Sequence, residues 1–414
     1  MRAASPGRPH LSYCTNVHPG ESLAEVRAAV ESHVAVVKRH LGVDGQFGVG
    51  LRLSARAATE LAAPGALESF RDLLDRLGLY VFTINGFPHG TFHGERIKEA
   101  VYRPDWLEPA RLVYTDQLAH VLAALLPEGV SGSISSVPGA FQRRARAPRE
   151  SAAMAAHVVE HAATLFRIRE TTGKLVELAL EPEPCCFLET TEDAVRFFET
   201  RLFSPDAAAR LAALTGTSVA DAEVFLHRHV GICLDACHLA VEFENANAAL
   251  ARLRRAGIRI GKVQVTTALS AALSGDPGAD EPTLRALERF ADGVYLHQVV
   301  ERREGTLIRH LDLPEAIALH RASGRAGPSE WRVHFHVPVF AERLDPFGST
   351  QAFLRDLLDA AAREQVSEHL EVETYTWDVL PPEHRQIDVN DAMAREIRWT
   401  LERLRPAPAR SDVP

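Results

Sequence analysis

The chain alternates short apolar runs with longer amphipathic segments along most of its 414 residues. This alternation is typical of parallel α/β proteins, in which helices join the buried strands and cover the sheet. The candidate strands are eight short runs at 11–18, 47–54, 80–87, 175–182, 230–236, 259–266, 331–338 and 369–376. Eight strand–helix units close a (β/α)8 barrel, so we predict an α/β chain folded as a TIM barrel with loop insertions.

Two further segments complicate this strand count. Segment 130–137 is a candidate ninth strand, and 294–300 with 306–311 is a candidate β-hairpin inserted before the seventh strand. An open, doubly wound sheet would also give alternating units. A barrel explains better why several strands end in polar residues, because barrel sites lie at the C-terminal strand ends.

No linker-like stretch divides the chain, so we predict one barrel domain over 11–403. The short, polar segment 1–10 is predicted to be a disordered N-terminus. The segment 404–414, rich in Pro, Ala and charged residues, is predicted to be a disordered tail.

Composition excludes several classes of protein. The chain is 46% hydrophobic and 24% charged, which is typical of globular proteins. Its net charge of −9 and the lack of a long basic block argue against nucleic-acid binding. The five cysteines form no CxxC pair, no apolar run reaches about 18 residues, and the N-terminus has no signal-peptide core. We therefore expect a cytoplasmic protein without a membrane span.

Polar side chains end several of the predicted strands, and the strongest case is Asp235 with His238 three residues later. Glu181 and Glu373 end two other strands, and in both cases a carboxylate follows an apolar run. The alternative interpretation is structural: Asp235 would cap a helix, and His238 would be a hydrogen-bonded core residue. Several strands that finish this way indicate one shared site.

His334 and His336 share one face of their predicted strand, because side chains alternate with a period of two. Gln264 also lies near a strand end. Carboxylates, imidazoles and an amide oxygen together suit Mn²⁺, Mg²⁺, Co²⁺ or Zn²⁺. Such an ion would act as a Lewis acid on a polyol or hydroxy-carbonyl compound while a second group moves a proton. This chemistry indicates isomerisation or epimerisation.

Two loops add candidate substrate-binding residues. Asn16 and His18 follow the first strand, and Asn85 and His89 begin a stretch after the third strand that is rich in Gly, aromatic residues and His. That stretch is a candidate lid or substrate wall. Its glycines can equally serve only a tight turn, and both interpretations stay open.

The run Leu234-Asp235-Ala236-Cys237-His238 resembles the Asp-x-x-His strand end of the xylose isomerase-like TIM barrels, a superfamily of sugar isomerases, epimerases and endonuclease IV. The resemblance implies that Glu181, Asp235 and Glu373 hold a divalent ion. Gln264 departs from the pattern, because many members carry a metal-binding His there. It would be the fourth ligand through its amide oxygen, or His334 or His336 would take its place. His238, His336 and Glu373 would then be the catalytic residues, and His334 would join the substrate-binding set.

Four motifs resemble one family more closely, the metabolite traffic protein EboE family. They are Tyr-Cys-Thr-Asn-Val-His-Pro-Gly-Glu at 13–21, Asn-Gly-Phe-Pro-His-Gly at 85–90, Leu-Glu-Pro-Glu-Pro at 180–184 and Glu-Thr-Tyr-Thr-Trp at 373–377. The resemblance implies a role in making or moving a small secondary metabolite, beside other proteins of one biosynthetic cluster. It does not name a reaction.

The leading hypothesis is a metal-dependent, isomerase- or epimerase-like enzyme that acts on a small metabolite precursor. A non-catalytic carrier that keeps the barrel pocket is the first alternative, and Gln264 in place of His favours it. An endonuclease IV-like phosphodiesterase is the second, and the acidic net charge of −9 argues against it.

Overall fold

A computed structural model describes residues 1–94, 96–145, 147–323 and 327–405. Eight parallel strands form a nearly closed barrel with flanking helices, which confirms the predicted fold class. In chain order the barrel strands are β1 (His10–Tyr13), β2 (Phe47–Arg52), β3 (Leu79–Asn85), β4 (Gly132–Ser136), β5 (Val176–Leu180), β6 (Val230–Asp235), β7 (Ile260–Val265) and β14 (His369–Val372). The sheet order is β1-β14-β7-β6-β5-β4-β3-β2, so each strand pairs in parallel with its neighbour around the barrel.

Helices connect the strands and cover the outside of the barrel. The described α-helices are α1 (Leu23–Ala29), α2 (Ala35–His40), α3 (Ala55–Leu61), α4 (Ala66–Leu77), α5 (Pro109–Leu125), α6 (Pro148–Thr172), α7 (Thr191–Phe197), α8 (Pro205–Thr215), α9 (Val219–His229), α10 (Ala236–Val241), α11 (Ala246–Arg255), α12 (Pro277–Glu288), α13 (Leu313–Ser323), α14 (Gln351–Arg363) and α15 (Val389–Arg403). Among the residues that the structure describes, no helix combines the length and apolar character needed to cross a membrane.

A second, antiparallel sheet is inserted between the last two barrel strands. It consists of β8 (Ala268–Leu273), β9 (Val299–Arg303), β10 (Thr306–His310), β11 (Ser329–His336), β12 (Arg343–Leu344) and β13 (Phe347–Ser349). The predicted hairpin is confirmed, because β9 and β10 pair antiparallel. The predicted strand 331–338 is a strand, but its assignment to the barrel was wrong: it pairs antiparallel with β8 and β9.

The barrel strand that replaces it lies in segment 130–137, the candidate ninth strand. Its Gly and Ser residues have low β-propensity, which weakened the sequence signal. Inside the barrel their small size is an advantage. The Ser133 hydroxyl contacts His369 at 2.8 Å, and the Ser135 hydroxyl accepts a hydrogen bond from Lys262 at 3.3 Å.

The two end strands of the sheet, β1 and β2, lie in close contact, which leaves the barrel nearly closed. Cys14 and Gly50 form a parallel bridge, and the Ser12 hydroxyl donates to the Gly48 carbonyl at 2.6 Å. A Cβ atom at Gly50 would lie 1.8 Å from a carboxylate oxygen of Glu371. Glycine is therefore required where the Glu371 side chain crosses the barrel interior.

The two chain ends were predicted to be disordered. The structure describes 1–10 and buries Ala3, whose amide donates to the Pro9 carbonyl at 2.9 Å, while His10 begins β1. At the other end Leu404 is buried, and the predicted tail beyond Arg405 lies outside the described residues. The domain limits remain predictions.

Candidate metal centre

A cavity of about 520 Å³, including its open mouth, lies at the C-terminal end of the barrel. Its polar lining comes from two parts of the molecule. Barrel strand ends and the loops after them supply Asn16, Asn85, Glu181 and Glu373, and the inserted sheet supplies His334 and His336. The inserted sheet reaches the cavity because β8 begins three residues after β7 ends, and β11 pairs with β8 so that His336 lies opposite Ala268.

Three buried carboxylates form the floor of the site. Glu181 follows β5, Asp235 ends β6 and Glu373 follows β14, so parallel strands bring them to one end of the barrel. One oxygen atom from each lies within 4.8 Å of one from each of the others. Glu181 Oε2 and Asp235 Oδ2 are buried without a hydrogen-bond partner among the described residues. Like charges this close need a cation or added protons.

Burial raises the pKa of Glu181 well above its usual range, and the charges of Glu373 and Asp235 raise it further. Burial also raises the pKa of Glu373, again with a contribution from Asp235. Lys262 opposes both shifts without reversing them. Three ionised carboxylates without a partner are therefore unfavourable here, and the site is stable with protonated carboxyl groups or with a bound cation.

Two amides orient Glu373. The side-chain nitrogens of Asn16 and Asn85 both donate to Glu373 Oε1 at 2.7 Å. The other oxygen takes no part in these two bonds. Both asparagines line the cavity, and their observed contact is with a candidate metal ligand. Their substrate-binding role stays a prediction.

Asp235 serves the fold and the site together. Its Oδ1 accepts the amide of His238 at 3.0 Å, which caps helix α10, and the Thr266 hydroxyl at 2.7 Å. The cap is why His238 follows Asp235 by one helical turn and reaches the same cavity. The second carboxylate oxygen, Asp235 Oδ2, takes no part in these two hydrogen bonds. It lies 4.0 Å from His238 Nε2 and 3.9 Å from His336 Nε2.

The imidazoles of His238, His334 and His336 are buried side by side. His238 Nε2 and His334 Nε2 are 3.0 Å apart, and the rings of His334 and His336 have centroids 5.4 Å apart. Burial lowers the pKa of His336 to about 4 and that of His334 well below its usual value. Both rings are therefore neutral near pH 7, which is the form that binds metals.

The predicted ligand Gln264 is buried in β7, opposite Asp235 in the strand register. Its Oε1 accepts a hydrogen bond from the Cys233 thiol at 3.2 Å. Its Nε2 is buried and lacks a hydrogen-bond partner within the described part of the chain. Its ligand role stays a prediction.

Two predicted substrate-binding histidines lie outside the cavity lining. His18 contacts the Tyr13 hydroxyl through Nε2 at 3.0 Å and stacks on His33 with ring centroids 4.0 Å apart. His89 packs edge-on against Tyr114, with ring centroids 4.9 Å apart. Both side chains are engaged in packing, and the structure does not bring them together with the carboxylates.

Sequence reasoning did not assign several cavity residues. Glu183 accepts a hydrogen bond from the Tyr102 hydroxyl at 2.5 Å, and Gln298 Nε2 donates to the same hydroxyl at 2.8 Å. Glu183 was detectable, because it repeats the Glu-Pro pattern of Glu181 two residues later. Tyr102 belongs to a distant segment with no local motif, and Gln298, which contacts it, is not itself a lining residue.

Aromatic side chains form the outer wall of the cavity. Phe92, Tyr295 and Tyr375 contact one another with ring centroids 5.0–5.4 Å apart, and the Tyr295 hydroxyl donates to the Phe92 carbonyl at 3.0 Å. Phe87 and Phe92 come from the stretch predicted to be a lid or wall, and both line the cavity. The wall limits the access of water to the buried carboxylates.

Comparisons with known proteins give a fold likeness only. No family model matches the chain, and no curated protein matches it. It is similar to a xylose isomerase-like TIM barrel protein from Mycobacterium smegmatis in complex with magnesium, at 13% identity and TM-score 0.47, with 95% of this chain and 98% of that chain covered. The zinc-bound IolI protein gives 14% identity and TM-score 0.47, with 95% and 97% covered. The 3-keto-D-glucoside 4-epimerase YcjR from E. coli gives 18% identity and TM-score 0.36, with 76% of this chain and 98% of that chain covered.

Similarities at this level do not define a reaction for this chain. Its own fold and side chains define a TIM barrel with a candidate divalent-metal centre at the C-terminal mouth.

Proposed function

We propose that the chain is a divalent-metal-dependent enzyme that isomerises or epimerises a small polyhydroxylated metabolite precursor. The observation that carries this proposal is the group of three buried carboxylates, Glu181, Asp235 and Glu373, which face one another beside a cavity. A binding pocket gains nothing from several buried, unpaired negative charges, whereas a divalent ion neutralises them.

The residues present fit such an ion. Glu181, Asp235 and Glu373 would hold it, and Gln264 is the candidate fourth ligand. These oxygens suit Mg²⁺ or Mn²⁺, and with a neighbouring imidazole nitrogen as a further ligand the set also suits Co²⁺ or Zn²⁺. When bound, the ion would polarise a carbonyl or hydroxyl oxygen of the substrate as a Lewis acid.

The surrounding side chains would bind and orient the substrate. His336 Nε2 is buried without a hydrogen-bond partner among the described residues, and its ring is neutral, so this nitrogen would accept a hydrogen bond from a substrate hydroxyl. His238 faces the same cavity. The aromatic wall of Phe92, Tyr295 and Tyr375 excludes water, which strengthens the electrostatic interactions inside. The resemblance to the EboE family supports a place in secondary metabolism.

A direct test is exchange of a carbon-bound proton. The protein is incubated in D₂O with Mn²⁺ and a panel of ketoses, aldoses and inositol-like polyols, and deuterium incorporation is followed by NMR after the metal is removed. We expect incorporation into at least one class of compound, lost with Asp235→Asn and retained with the remote control Asp206→Asn. No exchange in any class, despite bound metal, would contradict the isomerase assignment.

A carrier that binds a metabolite without turnover is the second candidate, and Gln264 favours it. Its amide occupies the position where the sequence resemblance expects a metal-binding His, and its Oε1 already accepts from Cys233. Metal-dependent retention of a compound from the same panel by equilibrium dialysis, without deuterium exchange, is the result expected for a carrier.

A further inference from the structure

The lining of the cavity consists of two chemically different parts. Carboxylates, amides and imidazoles form the first part, around Glu181 and Glu373. The second part, which we call the hydrocarbon wall, consists of the side chains of Phe92, Ile97, Val101, Tyr295, Leu296 and Tyr375. The carboxylate centre uses only the first part, so the hydrocarbon wall needs an explanation of its own.

The hydrocarbon wall is built apart from the barrel core. Phe92, Ile97 and Tyr295 are each 5–8% exposed and form a small hydrophobic cluster of their own, against which Val101 and Tyr375 pack. The first two residues and Val101 follow β3, and Tyr295 precedes β9, so separate loops bring these side chains to the cavity. Apolar surface that faces a ligand cavity gains free energy when hydrocarbon covers it.

Polar groups of this wall form hydrogen bonds within it. The Ile97 amide donates to the Val294 carbonyl at 2.9 Å, and the Tyr295 hydroxyl donates to the Phe92 carbonyl at 3.0 Å. A ligand hydroxyl that leaves water and finds no hydrogen-bond partner loses free energy. Aromatic rings can cover the C–H face of a sugar, but the aliphatic side chains of the wall offer its hydroxyls no partner. The wall therefore favours hydrocarbon over a second group of hydroxyls.

The charge of the cavity favours a neutral ligand. Lys98 is the only lysine or arginine among the described residues that line it. The Lys98 ammonium lies 2.8 Å from Asp312 Oδ2 and donates to the Asp292 carbonyl at 3.2 Å, so its charge is already paired. A phosphorylated or carboxylated ligand is usually held by lysine or arginine, and here it would instead face the buried carboxylates.

The two parts of the lining are adjacent. The rings of His336 and Tyr375 have centroids 4.6 Å apart. The Tyr102 hydroxyl donates to Glu183 at 2.5 Å, while the ring of Tyr102 packs against Phe87 with centroids 5.8 Å apart. A ligand whose hydroxyls lie at the carboxylates therefore reaches the hydrocarbon wall with the atoms that follow.

We propose that the substrate is a neutral amphiphile. Its hydroxyl-bearing end, a polyol or hydroxy-ketone, lies at the carboxylates, and an alkyl or aryl group at its other end lies on the hydrocarbon wall. This inference rests on the proposed function, because it names the substrate class of the same cavity. The hydrocarbon end binds and orients the molecule, and the hydroxyl-bearing end is the part that reacts.

The experiment measures Kd by isothermal titration of the full chain in Mn²⁺ with hydroxy-ketones that share one polar end. Hydroxyacetone, 1-hydroxy-2-hexanone and 2-hydroxyacetophenone differ only in carrying a methyl, butyl or phenyl group, and dihydroxyacetone phosphate is the anionic probe. Each CH₂ that the wall covers should tighten binding roughly fourfold. We therefore expect the butyl or the phenyl compound to bind at least about tenfold more tightly than hydroxyacetone.

A pair of matched variants locates the hydrocarbon end. Val101→Thr keeps the shape of a wall side chain and makes it polar, so it should lower the ratio of butyl to methyl affinity roughly fourfold. Val113→Thr is the control, because Val113 lies on α5, is 66% exposed and does not line the cavity. This variant should keep the wild-type ratio. The series on the wild type remains a test if Val101→Thr fails to fold.

The outcomes separate this inference from the proposed function. Equal Kd values for the three ketones, no binding by any of them, tightest binding of dihydroxyacetone phosphate, or an unchanged ratio in a folded Val101→Thr would each overturn the amphiphilic substrate. Deuterium exchange into a sugar or polyol would still support the isomerase in those cases. The expected series of affinities without deuterium exchange into any of the ketones would support the substrate class and count against the isomerase.

Discussion

The barrel interior contains two layers of buried carboxylates with different partners. In the lower layer Glu371 forms an ion pair with Lys262, and both side chains are fully buried. In the upper layer Glu181, Asp235 and Glu373 lie together. Among the described residues no Lys or Arg forms an ion pair with them, and their nearest basic neighbours are the imidazoles of His238 and His336 at 3.8–4.0 Å. The lower layer carries its own counter-charge, whereas the upper layer needs either added protons or a cation from outside. This difference is the physical reason for expecting a metal at the mouth of the barrel.

Removing the internal cation is expected to have the largest effect. Lys262→Met leaves the Glu371 carboxylate buried and unpaired, so we expect unfolding to become easier by about 3–5 kcal/mol. Urea denaturation in EDTA measures this loss. The double variant Lys262→Met/Glu371→Leu is expected to recover most of it, because no charge then remains. A loss below about 1 kcal/mol in the single variant would show that the lower layer does not depend on its ion pair.

Removing one ligand of the upper layer is expected to change the response to metal. At Mn²⁺ concentrations of about 100 times Kd, binding stabilises the wild type by about 2.7 kcal/mol, and Glu181→Gln should gain almost nothing. Thermal denaturation with and without Mn²⁺ measures this difference.

Glu177, in the strand β5 that precedes Glu181, offers a matched control. It is also buried, but it pairs with Arg259 at 2.8 Å. Glu177→Gln should keep the full response to Mn²⁺. Equal responses in Glu181→Gln and the wild type would place the metal elsewhere.

A smaller effect is expected from the amides that orient Glu373. Asn16→Ala removes one of the two hydrogen bonds to Glu373 Oε1 without changing any candidate ligand. Loss of such a supporting contact typically weakens metal affinity about 10–100-fold. Isothermal titration with Mn²⁺ measures the change, and an unaltered Kd would mean that Asn85 alone holds the carboxylate.

The smallest effect is a pH dependence of the metal-free protein. The folded-state pKa values of Glu181 and Glu373 are raised above their ordinary values, so the folded state holds these protons longer. Stability should therefore fall as pH rises above the ordinary carboxyl pKa, by at most about 1.4 kcal/mol per pH unit for each group.

Buried histidines act in the opposite direction at lower pH. The pKa of His336 is lowered to about 4, so its contribution to stability grows as pH rises from about 4 to its unfolded value near 6.5. The Glu181→Gln variant keeps the same histidines, so comparing it with the wild type isolates the contribution of the carboxyl group. Relative to this variant, the metal-free wild type should lose stability as pH rises from the ordinary carboxyl pKa, and parallel denaturation curves would contradict the raised pKa of Glu181.

Local patterns were sufficient to predict much of the fold and of the carboxylate floor. Glu181, Asp235 and Glu373 each end an apolar run, and the parallel strands of a barrel bring such ends together without further information. In helix α4 the buried residues Phe70, Leu73 and Leu74 recur with the helical spacing that a local pattern can reveal.

The group of three buried imidazoles, His238, His334 and His336, could be predicted only in part. Period-two alternation placed His334 and His336 on one face, but the segment was assigned to the barrel instead of the inserted sheet. Strand direction and partner depend on contacts between distant segments, which no local pattern encodes. The same holds for Gln298, whose amide oxygen lies 2.7 Å from His334 Nδ1, and for His18, which stacks on His33.

The most direct test of the metal centre is elemental analysis of protein purified without a metal-affinity tag, together with Asp235→Ala. We expect near-stoichiometric Mn, Co or Zn in the wild type and its loss in the variant. Metal-free wild type whose melting temperature does not respond to added divalent ions would contradict the metal centre.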